Sequence, residues 1–256
     1  MVSRFWYGLA GLAVLLAVME AVPRLGLVDP RFLPPASRIL GELGALLATP
    51  ELWAALGETM RGWGIGLAVA FTAAVAIGFV IGIVPGLRAA THSTIEFLRP
   101  IPSVALIPLA TLLFGASLGS TLLLVIYASF WQVLIQVLYG VADLDTVAAD
   151  TARAYRLGWW TRIRHLVWPT ALPYVMTGLR LGATVAFILA ITAELVIGSP
   201  GLGLEIQLAQ SSGAVTTVYA LVVLTGLIGI AVNLGVRLLE RRVLAWHPSV
   251  RGEVPA

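Results

Sequence analysis

The sequence contains no cysteine and no lysine, and charged residues of both signs are few. Without cysteine, the chain has no disulfide, no thiolate metal site and no thiol nucleophile. Because all 16 basic residues are arginine, the chain has no phosphate-binding loop of the GxxxxGK(S/T) type, and P-loop ATP hydrolysis would have to occur on another chain. His92 and His247 do not have the spacing of a metal-ligand pair, so no metal site is expected.

Apolar residues make up 59% of the chain and charged residues only 11%, with a mean hydropathy of +0.95. A soluble domain has about 25% charged and about 45–50% apolar residues. The composition therefore predicts a protein solvated by lipid. Its 256 residues leave room for one membrane domain and not for an ATPase domain as well.

Hydrophobic segments predict an all-α, polytopic membrane protein with six transmembrane helices, since about 20 apolar residues span a bilayer. The segments are 5–19, 65–84, 103–114 with its flanks, 120–138, 174–197 and 215–234. The first could instead be a signal peptide, but it lacks a small-residue cleavage site and runs into Glu20 and Pro23, so a retained span is favoured. Pro100, Pro102 and Pro108 interrupt the third, a pattern tolerated only where neighbouring helices or cavities satisfy the freed backbone groups.

Residues 33–59, between the first two spans, have the pattern of amphipathic helices. Apolar residues recur on one helical face before a break at Thr49-Pro50 and again after it: Ile39, Leu40, Leu43, Leu46 and Leu47, then Leu52, Trp53 and Leu56. Helices of this kind lie in the membrane interface. Trp53 and Trp63 are expected at headgroup level.

The arginine distribution predicts the orientation of the chain, because cytoplasmic loops are enriched in Arg and Lys. With the N-terminus inside, the cytoplasmic segments hold Arg4, Arg88, Arg99, Arg153, Arg156, Arg162, Arg164, Arg237, Arg241, Arg242 and Arg251. The external segments hold Arg24, Arg31, Arg38 and Arg61, which are balanced by nearby acidic residues. Both termini are therefore predicted to be cytoplasmic, and residues 143–169 form the largest cytoplasmic loop.

Residues 150–173 are a polar, arginine-rich island in an otherwise apolar sequence. The pattern predicts a short helix over 146–155, a turn at Leu157-Gly158 and a second helix closed off by Pro169. Two helices this short bury little surface of their own, so an exposed face is available to a partner.

Asp143, Asp145 and Asp150 could suggest the magnesium site of a membrane-embedded phosphotransferase. Such an enzyme needs a second acidic cluster on a facing helix, and the spans contain none. Asp143 and Asp145 precede the predicted helix, where the helix macrodipole favours negative charge. A structural role is therefore favoured over the enzymatic one.

The island DTARAYRLGWWTRIRHLVWPTALP resembles the EAA loop of ABC importer permeases, which reads Glu-Ala-Ala, three residues, Gly, and Leu-Pro about a dozen residues later. Further segments are similar to the nitrate/sulfonate/taurine group of these permeases: FLPPASRIL, FLRPIPSVALIPLATLLFG, LVWPTALPYVMTGLRLG, ITAELV, SPGLGLEI and LLERRVLAWHP. The resemblance covers nearly the whole chain. It implies a type I ABC importer (MetI-like) permease fold, with an N-terminal span and interfacial helices over 1–58 and a permease core over 59–250 that carries the coupling loop at 143–173.

The same resemblance implies a multi-pass permease of the bacterial inner membrane that has no active site of its own. It would work as a homodimer with two ATPase subunits, which bind ATP and Mg²⁺, and with an extracytoplasmic substrate-binding protein. The chain itself would bind no cofactor and no nucleic acid, and the solute would be a sulfonate, taurine, nitrate or a similar small anion. The alternative is a channel or secondary transporter, for which several charges in the spans or inverted repeats with broken helices would be expected.

The resemblance places the ATPase contact on Asp150, Ala152, Arg153, Arg156, Leu157 and Gly158. Arg156 occupies the usual glycine position and Gly158 follows two residues later. Because glycine adopts a left-handed backbone most easily, the turn is expected to be displaced toward Gly158. Asp150 and Ala152 are expected to face water in the isolated permease, with Ala152 leaving room for a partner backbone.

Ionisable residues inside spans are functional candidates, and Glu194 is the clearest one. It could line the translocation pathway, or it could be a structural carboxyl bonded to a neighbouring helix. Gln132, Gln136 and Asn233 are further pathway candidates, although interhelical hydrogen bonds explain such residues as well. Arg180, near the end of the same span as Glu194, is expected to extend to the inner headgroups.

Overall fold

The computed structural model describes residues 2–246, and every regular element in that range is helical. In chain order the elements are α1 (Val2–Arg24), α2 (Ala36–Leu46), α3 (Pro50–Ile83), α4 (Pro85–Leu98), a 3-10 turn (Ser103–Leu106), α5 (Ile107–Phe114), α6 (Leu118–Ala142), α7 (Thr146–Ala154), α8 (Trp159–Arg162), a π turn (Ile163–Val167), α9 (Trp168–Ile197), α10 (Leu202–Ser211) and α11 (Val215–Val243).

Five helices of the described residues are long and apolar enough to cross a membrane. They are α1 from Trp6 onward, α3, α6, the continuous helical run Trp159–Ile197, and α11. Gly86–Leu98 and Ser103–Phe114 are together apolar enough for a sixth span but are bent by 78° relative to each other, so the pair is either a broken span or a re-entrant loop. The bend falls at Pro100 and Pro102, which cannot donate backbone hydrogen bonds and disfavour helix in the residue before them. The all-α, polytopic prediction is confirmed, with five to six spans, and the sixth depends on the bent pair.

The second span begins earlier than its hydropathy suggests. α3 is a continuous helix of 34 residues from Pro50, whereas the sequence pattern predicted a separate interfacial helix after Thr49 and a span from residue 65. Proline is favoured in the first turn of a helix, where its missing N–H needs no partner, so Pro50 starts the span. Leu52 and Ala55 are buried with residues of α2, α10 and α11, so one face of the first turns of α3 packs into the bundle.

The centre of the bundle is α6, which packs most extensively against α3 and α9. Glycines on α3 allow the close approach. A Cβ at Gly66 would lie 2.5 Å from Val125 Cγ1, and one at Gly78 would lie 2.7 Å from Val137 Cγ1. No side chain fits between α3 and α6 at these points, so these glycines act in helix packing.

The short helix α2 packs against α11 and α1. Ile39 and Leu43 are buried, as the amphipathic pattern predicts, but Leu40 and Leu47 of the same predicted face are exposed. Thr217 of α11 donates a hydrogen bond to Glu42 Oε1 at 2.7 Å. α2 is thus fixed to the bundle by both apolar and polar contacts.

Trp63 lies between two helices of the bundle. Its Nε1 donates a hydrogen bond to the Ala183 carbonyl oxygen at 3.0 Å, which places the indole between α3 and α9; its position at headgroup level stays a prediction. A partly buried indole N–H needs an acceptor, and α9 supplies one. Trp53 is exposed and donates to the Leu47 carbonyl oxygen at 3.0 Å.

Candidate functional site

Residues 143–173, the predicted coupling loop, begin with two aspartates that have structural contacts. Asp145 is the N-cap of α7 and accepts a hydrogen bond from the Val147 N–H at 2.8 Å. Asp143 accepts one from the Tyr174 hydroxyl at 2.7 Å, which joins the end of α6 to the start of α9. Within the described residues, no three His, Cys, Asp or Glu side chains are grouped so that they could hold a metal ion.

The turn after α7 is centred on Arg156, and the predicted displacement toward Gly158 is wrong. Arg156 has a left-handed backbone with φ 51°, whereas Gly158 has φ −60° and ψ 155°. The Leu157 N–H donates to the Ala152 carbonyl oxygen at 3.0 Å, and the Arg156 N–H donates to that of Arg153 at 2.9 Å. These two bonds define a Schellman motif, so the helix end demands the left-handed position at 156 whichever residue occupies it.

The second half of the loop does not end at Pro169, contrary to the prediction. α8 continues through the π turn Ile163–Val167 into α9, where Pro169 lies in the first turn. A proline ring clashes with the carbonyl four residues earlier in a regular α-helix. The wider π turn before Pro169 accommodates the ring, so this half of the loop is a continuous helical extension of the span.

An aromatic contact and a hydrogen bond attach the loop to the bundle. The ring of Trp168 lies 5.3 Å from that of Phe79 on α3, centroid to centroid. Together with the Asp143–Tyr174 hydrogen bond, this contact connects the loop to α3, α6 and α9. A displacement of the loop would therefore reach the three central helices.

The charged residues predicted for the coupling surface are exposed, whereas Ala152 is buried. Asp150 Oδ1 and Arg153 Nη1 form an ion pair at 2.8 Å on the exposed side of α7, and Arg156, Leu157 and Gly158 are also exposed. Ala152 is only 5% exposed, so the expectation that it faces water is wrong. A period of 3.6 residues turns Ala152 and Ala149 away from solvent, and both are buried.

Aromatic residues on this surface were missed as site candidates. Tyr155 is 78% exposed, and Trp159 and Trp160 are also largely exposed. Large exposed apolar groups on one surface mark interaction sites. The run YRLGWW around the turn is the sequence signal for them, because three aromatic residues within six positions would otherwise be expected in a core.

Glu194 lies at the end of α9 and is 1% exposed. Its Oε2 accepts hydrogen bonds from the Thr59 hydroxyl at 2.8 Å and from the Gly203 N–H at 3.0 Å. Thr59 Oγ1 in turn accepts one from the Leu202 N–H at 2.9 Å. Leu202 and Gly203 begin α10, and the first N–H groups of a helix have no partner within it. Glu194 and Thr59 thus cap α10 from two other helices.

The cap explains the glycines of the SPGLGLEI segment. A Cβ at Gly201 would collide with the Glu194 carboxyl group, and one at Gly203 would collide with the Ile191 carbonyl oxygen. Gly201 also has φ 151°, a conformation that side chains disfavour. The sequence signal was present in the glycine pair, but only the fold connects it to Glu194.

The remaining pathway candidates are not brought together with Glu194. Gln132 and Gln136 are half-buried on α6, and no hydrogen bond within residues 2–246 joins them to Glu194. Asn233 lies on α11 beside a cavity of about 580 Å³ between α9 and α11; its Oδ1 is buried without a hydrogen-bond partner.

Arg180 forms an ion pair with Glu240 of α11. This pairing joins α9 to α11 and takes the place of the extension to the headgroups that the sequence suggested. The half-buried carboxylate of Glu240 is stabilised by a nearby cation, and α9 provides one.

The family described as binding-protein-dependent transport system inner membrane component matches residues 74–245. The chain belongs to this family. The taurine transport system permease protein TauC of Escherichia coli K12 is 32% identical over 246 residues, which cover 94% of this chain and 89% of that protein. The putative aliphatic sulfonates transport permease protein SsuC of Bacillus subtilis 168 is 29% identical over 244 residues, covering 94% and 87%. These relatives confirm an ABC importer permease of the nitrate/sulfonate/taurine group.

Solved structures confirm the fold of the permease. An inward-facing conformation of the MetNI methionine ABC transporter superposes with a TM-score of 0.65 at 17% identity, covering 77% of this chain and 99% of the compared chain. A second crystal form of that transporter gives a TM-score of 0.63. The helical bundle is therefore that of a type I ABC importer permease.

Proposed function

We propose that this permease carries a small anion, of the sulfonate, taurine or nitrate type, through an ATP-driven importer. The proposal is supported by relatives named as taurine, aliphatic sulfonate and nitrate permeases, the last being NrtB of Synechocystis sp., 26% identical over 199 residues that cover 73% of this chain and 72% of that protein. An extracytoplasmic binding protein delivers the solute and determines most of the selectivity. The permease makes and breaks no bonds.

The coupling loop carries the proposal. In the assembly we propose, two copies of the permease bind two ATPase subunits, which hold the ATP and Mg²⁺. The exposed Asp150–Arg153 pair supplies charged hydrogen bonds, and Tyr155 with Trp159 supplies apolar contact area. Tyrosine, tryptophan and arginine are the residues that dominate interface energies. Closure of the ATPases would displace the loop and, through its attachments to α3, α6 and α9, reorient the pathway.

The test is co-purification of the cognate ATPase with Asp150→Lys and Tyr155→Ser permeases, together with transport-linked ATP hydrolysis. Losing one member of an interface charge pair costs about 2–5 kcal/mol, so Asp150→Lys should reduce ATPase retention at least ~10-fold. Glu51→Lys, which reverses the charge of an exposed residue at the start of α3, is the matched control and should retain the ATPase. If both loop variants keep wild-type retention and hydrolysis, the loop is not the coupling element.

We propose that the parts before and after residue 58 have different roles. They are not separate structural units, because α3 continues across this position. The N-terminal part, 1–58, would support the bundle and face the binding protein. The core, 59–250, would contain the pathway and the coupling loop. In this proposal Gln132, Gln136 and Asn233 remain candidates for the pathway.

A further inference from the structure

A cavity of about 670 Å³ lies between the end of α3, one face of α4 and the last turns of α6. Its apolar wall consists of Ile81, Ile95, Ile135 and Leu138. It lies where α3 and α6 end and α4 begins. If these helices span the bilayer, their ends lie near the lipid headgroups and the first methylene groups. The cavity is large enough for a small ligand of that size.

A second part of the cavity wall is basic. Arg88, His92 and Arg99 line it and lie four and seven residues apart, on one face of α4 and its C-cap. Glu96, the one acidic residue lining the cavity, lies 3.4 Å from His92. Among the ion pairs of the described residues, none involves Arg88 or Arg99. Two guanidinium groups are therefore available to an anion.

We propose that this cavity binds the phosphate group of an anionic phospholipid. Arginine binds phosphate oxygens with two parallel hydrogen bonds, and basic pockets between membrane helices on the cytoplasmic side bind anionic headgroups. A small soluble anion would leave the isoleucine and leucine wall unused, and a zwitterionic lipid would leave the positive charge uncompensated. A phospholipid of net negative charge matches both walls. The site is separate from solute transport and does not depend on which solute the permease carries.

The experiment measures equilibrium binding of phosphatidylglycerol, cardiolipin and phosphatidylcholine to the full-length permease purified in detergent, by native mass spectrometry. The Arg88→Gln/Arg99→Gln permease should bind both anionic lipids about 25-fold more weakly, since each arginine near an anionic lipid raises the binding affinity by a factor of about five. Arg88→Lys/Arg99→Lys, which keeps the charge, should bind within about threefold of wild type. Phosphatidylcholine should bind weakly to all three forms.

Arg31→Gln/Arg38→Gln is the matched control, because these two arginines line a different cavity of about 500 Å³ beside the α10–α11 link. It removes the same net charge and should leave anionic lipid binding unchanged. An equal loss in this control, or unchanged binding by Arg88→Gln/Arg99→Gln, would overturn the proposal. Binding of free methanesulfonate or inorganic phosphate through Arg88 and Arg99 as tightly as phosphatidylglycerol would also overturn it, because the site would then bind soluble anions and not lipid.

Discussion

Glu194 has the contacts of a structural acid. Both polar groups that contact its Oε2, the Thr59 hydroxyl and the Gly203 N–H, would be left unpaired in the buried interior by an apolar residue at 194. Each unpaired buried group costs about 1–3 kcal/mol. The geometry therefore favours the structural reading over a pathway role.

We predict that Glu194→Leu lowers the stability of the permease by about 2–5 kcal/mol, whereas Glu194→Gln, whose amide oxygen still accepts, costs about 1 kcal/mol or less. Thermal melting in detergent checks the stability, and uptake per folded permease checks the function. The double variant Glu194→Leu/Thr59→Val should lose less stability than the sum of the losses in the two single variants, because the two residues share one hydrogen-bond network. A Gln variant that melts like wild type but does not transport would instead place Glu194 in the pathway.

Arg156 adopts a left-handed backbone in which a residue with a Cβ is disfavoured by about 1 kcal/mol. Its side chain is exposed, so replacing it removes little packing. We predict that Arg156→Gly stabilises the turn by about 1 kcal/mol. Hydrogen exchange of the Leu157 amide, which donates to the Ala152 carbonyl oxygen, should then slow about fivefold.

Gly158 provides the control for this prediction. Its φ is −60° and a Cβ there would meet no atom within 4 Å, so Gly158→Ala should leave the Leu157 exchange rate unchanged. Faster exchange of the Leu157 amide in Arg156→Gly, or clearly faster exchange of that amide in Gly158→Ala, would mean that the left-handed turn forms at residue 158.

At the scale of the element, the α3–α6 contact is sensitive to single side chains. A Cβ at Gly78 would lie 2.7 Å from Val137 Cγ1, whereas one at Gly64, on the same helix, would have no atom within 4 Å. We predict that Gly78→Leu separates the two helices and costs about 1–3 kcal/mol. Gly64→Leu should be neutral or slightly stabilising, since leucine favours helix more than glycine does.

Detergent melting of these two variants provides the comparison. Both variants replace glycine by leucine within one helix, so helix propensity changes equally in both. The difference between their melting temperatures therefore reports the α3–α6 contact. Equal melting temperatures would show that α6 does not pack against α3 as closely as described.

The third hydrophobic segment is not one continuous helix. Prolines at 100 and 102 divide it into α4 and α5 with a bend of 78°. The Leu98 carbonyl oxygen cannot accept a regular helical bond from Pro102, and it accepts instead from the Ile101 N–H at 3.2 Å and from the Tyr127 hydroxyl of α6 at 2.7 Å. Neighbouring helices thus satisfy the broken backbone, as membrane proteins require.

At the scale of the whole molecule, the orientation stays a prediction from the arginine distribution. The absence of cysteine from the sequence makes it directly testable, because a single introduced cysteine is the only thiol. We predict that Val28→Cys and Ser211→Cys react with a membrane-impermeant maleimide in intact cells. Val147→Cys and Tyr155→Cys in the coupling loop should react only after the membrane is permeabilised. Labelling of the loop cysteines from outside would reverse the orientation and remove the coupling proposal.

Fusions that report the location of His247 would test the same orientation at the C-terminus, although this residue lies outside the described residues. The predicted cytoplasmic position of both termini requires an even number of crossings, which the bent pair α4–α5 completes. If that pair were re-entrant, the crossings would be five and the termini would lie on opposite sides. The labelling pattern distinguishes the two topologies.

The sequence alone determined the membrane class, most of the helical spans and the family, because these depend on local composition, hydrophobic length and contiguous motifs. Tertiary contacts decided the rest. The role of Glu194 depends on Thr59, 135 residues away, and Arg180 is paired by a residue on α11. The left-handed turn at Arg156 follows from how α7 ends, which overrides the preference for glycine. Ala152 is buried and Tyr155 is exposed because the fold determines which face of the loop is covered; the helical period groups residues on faces but does not say which face is buried.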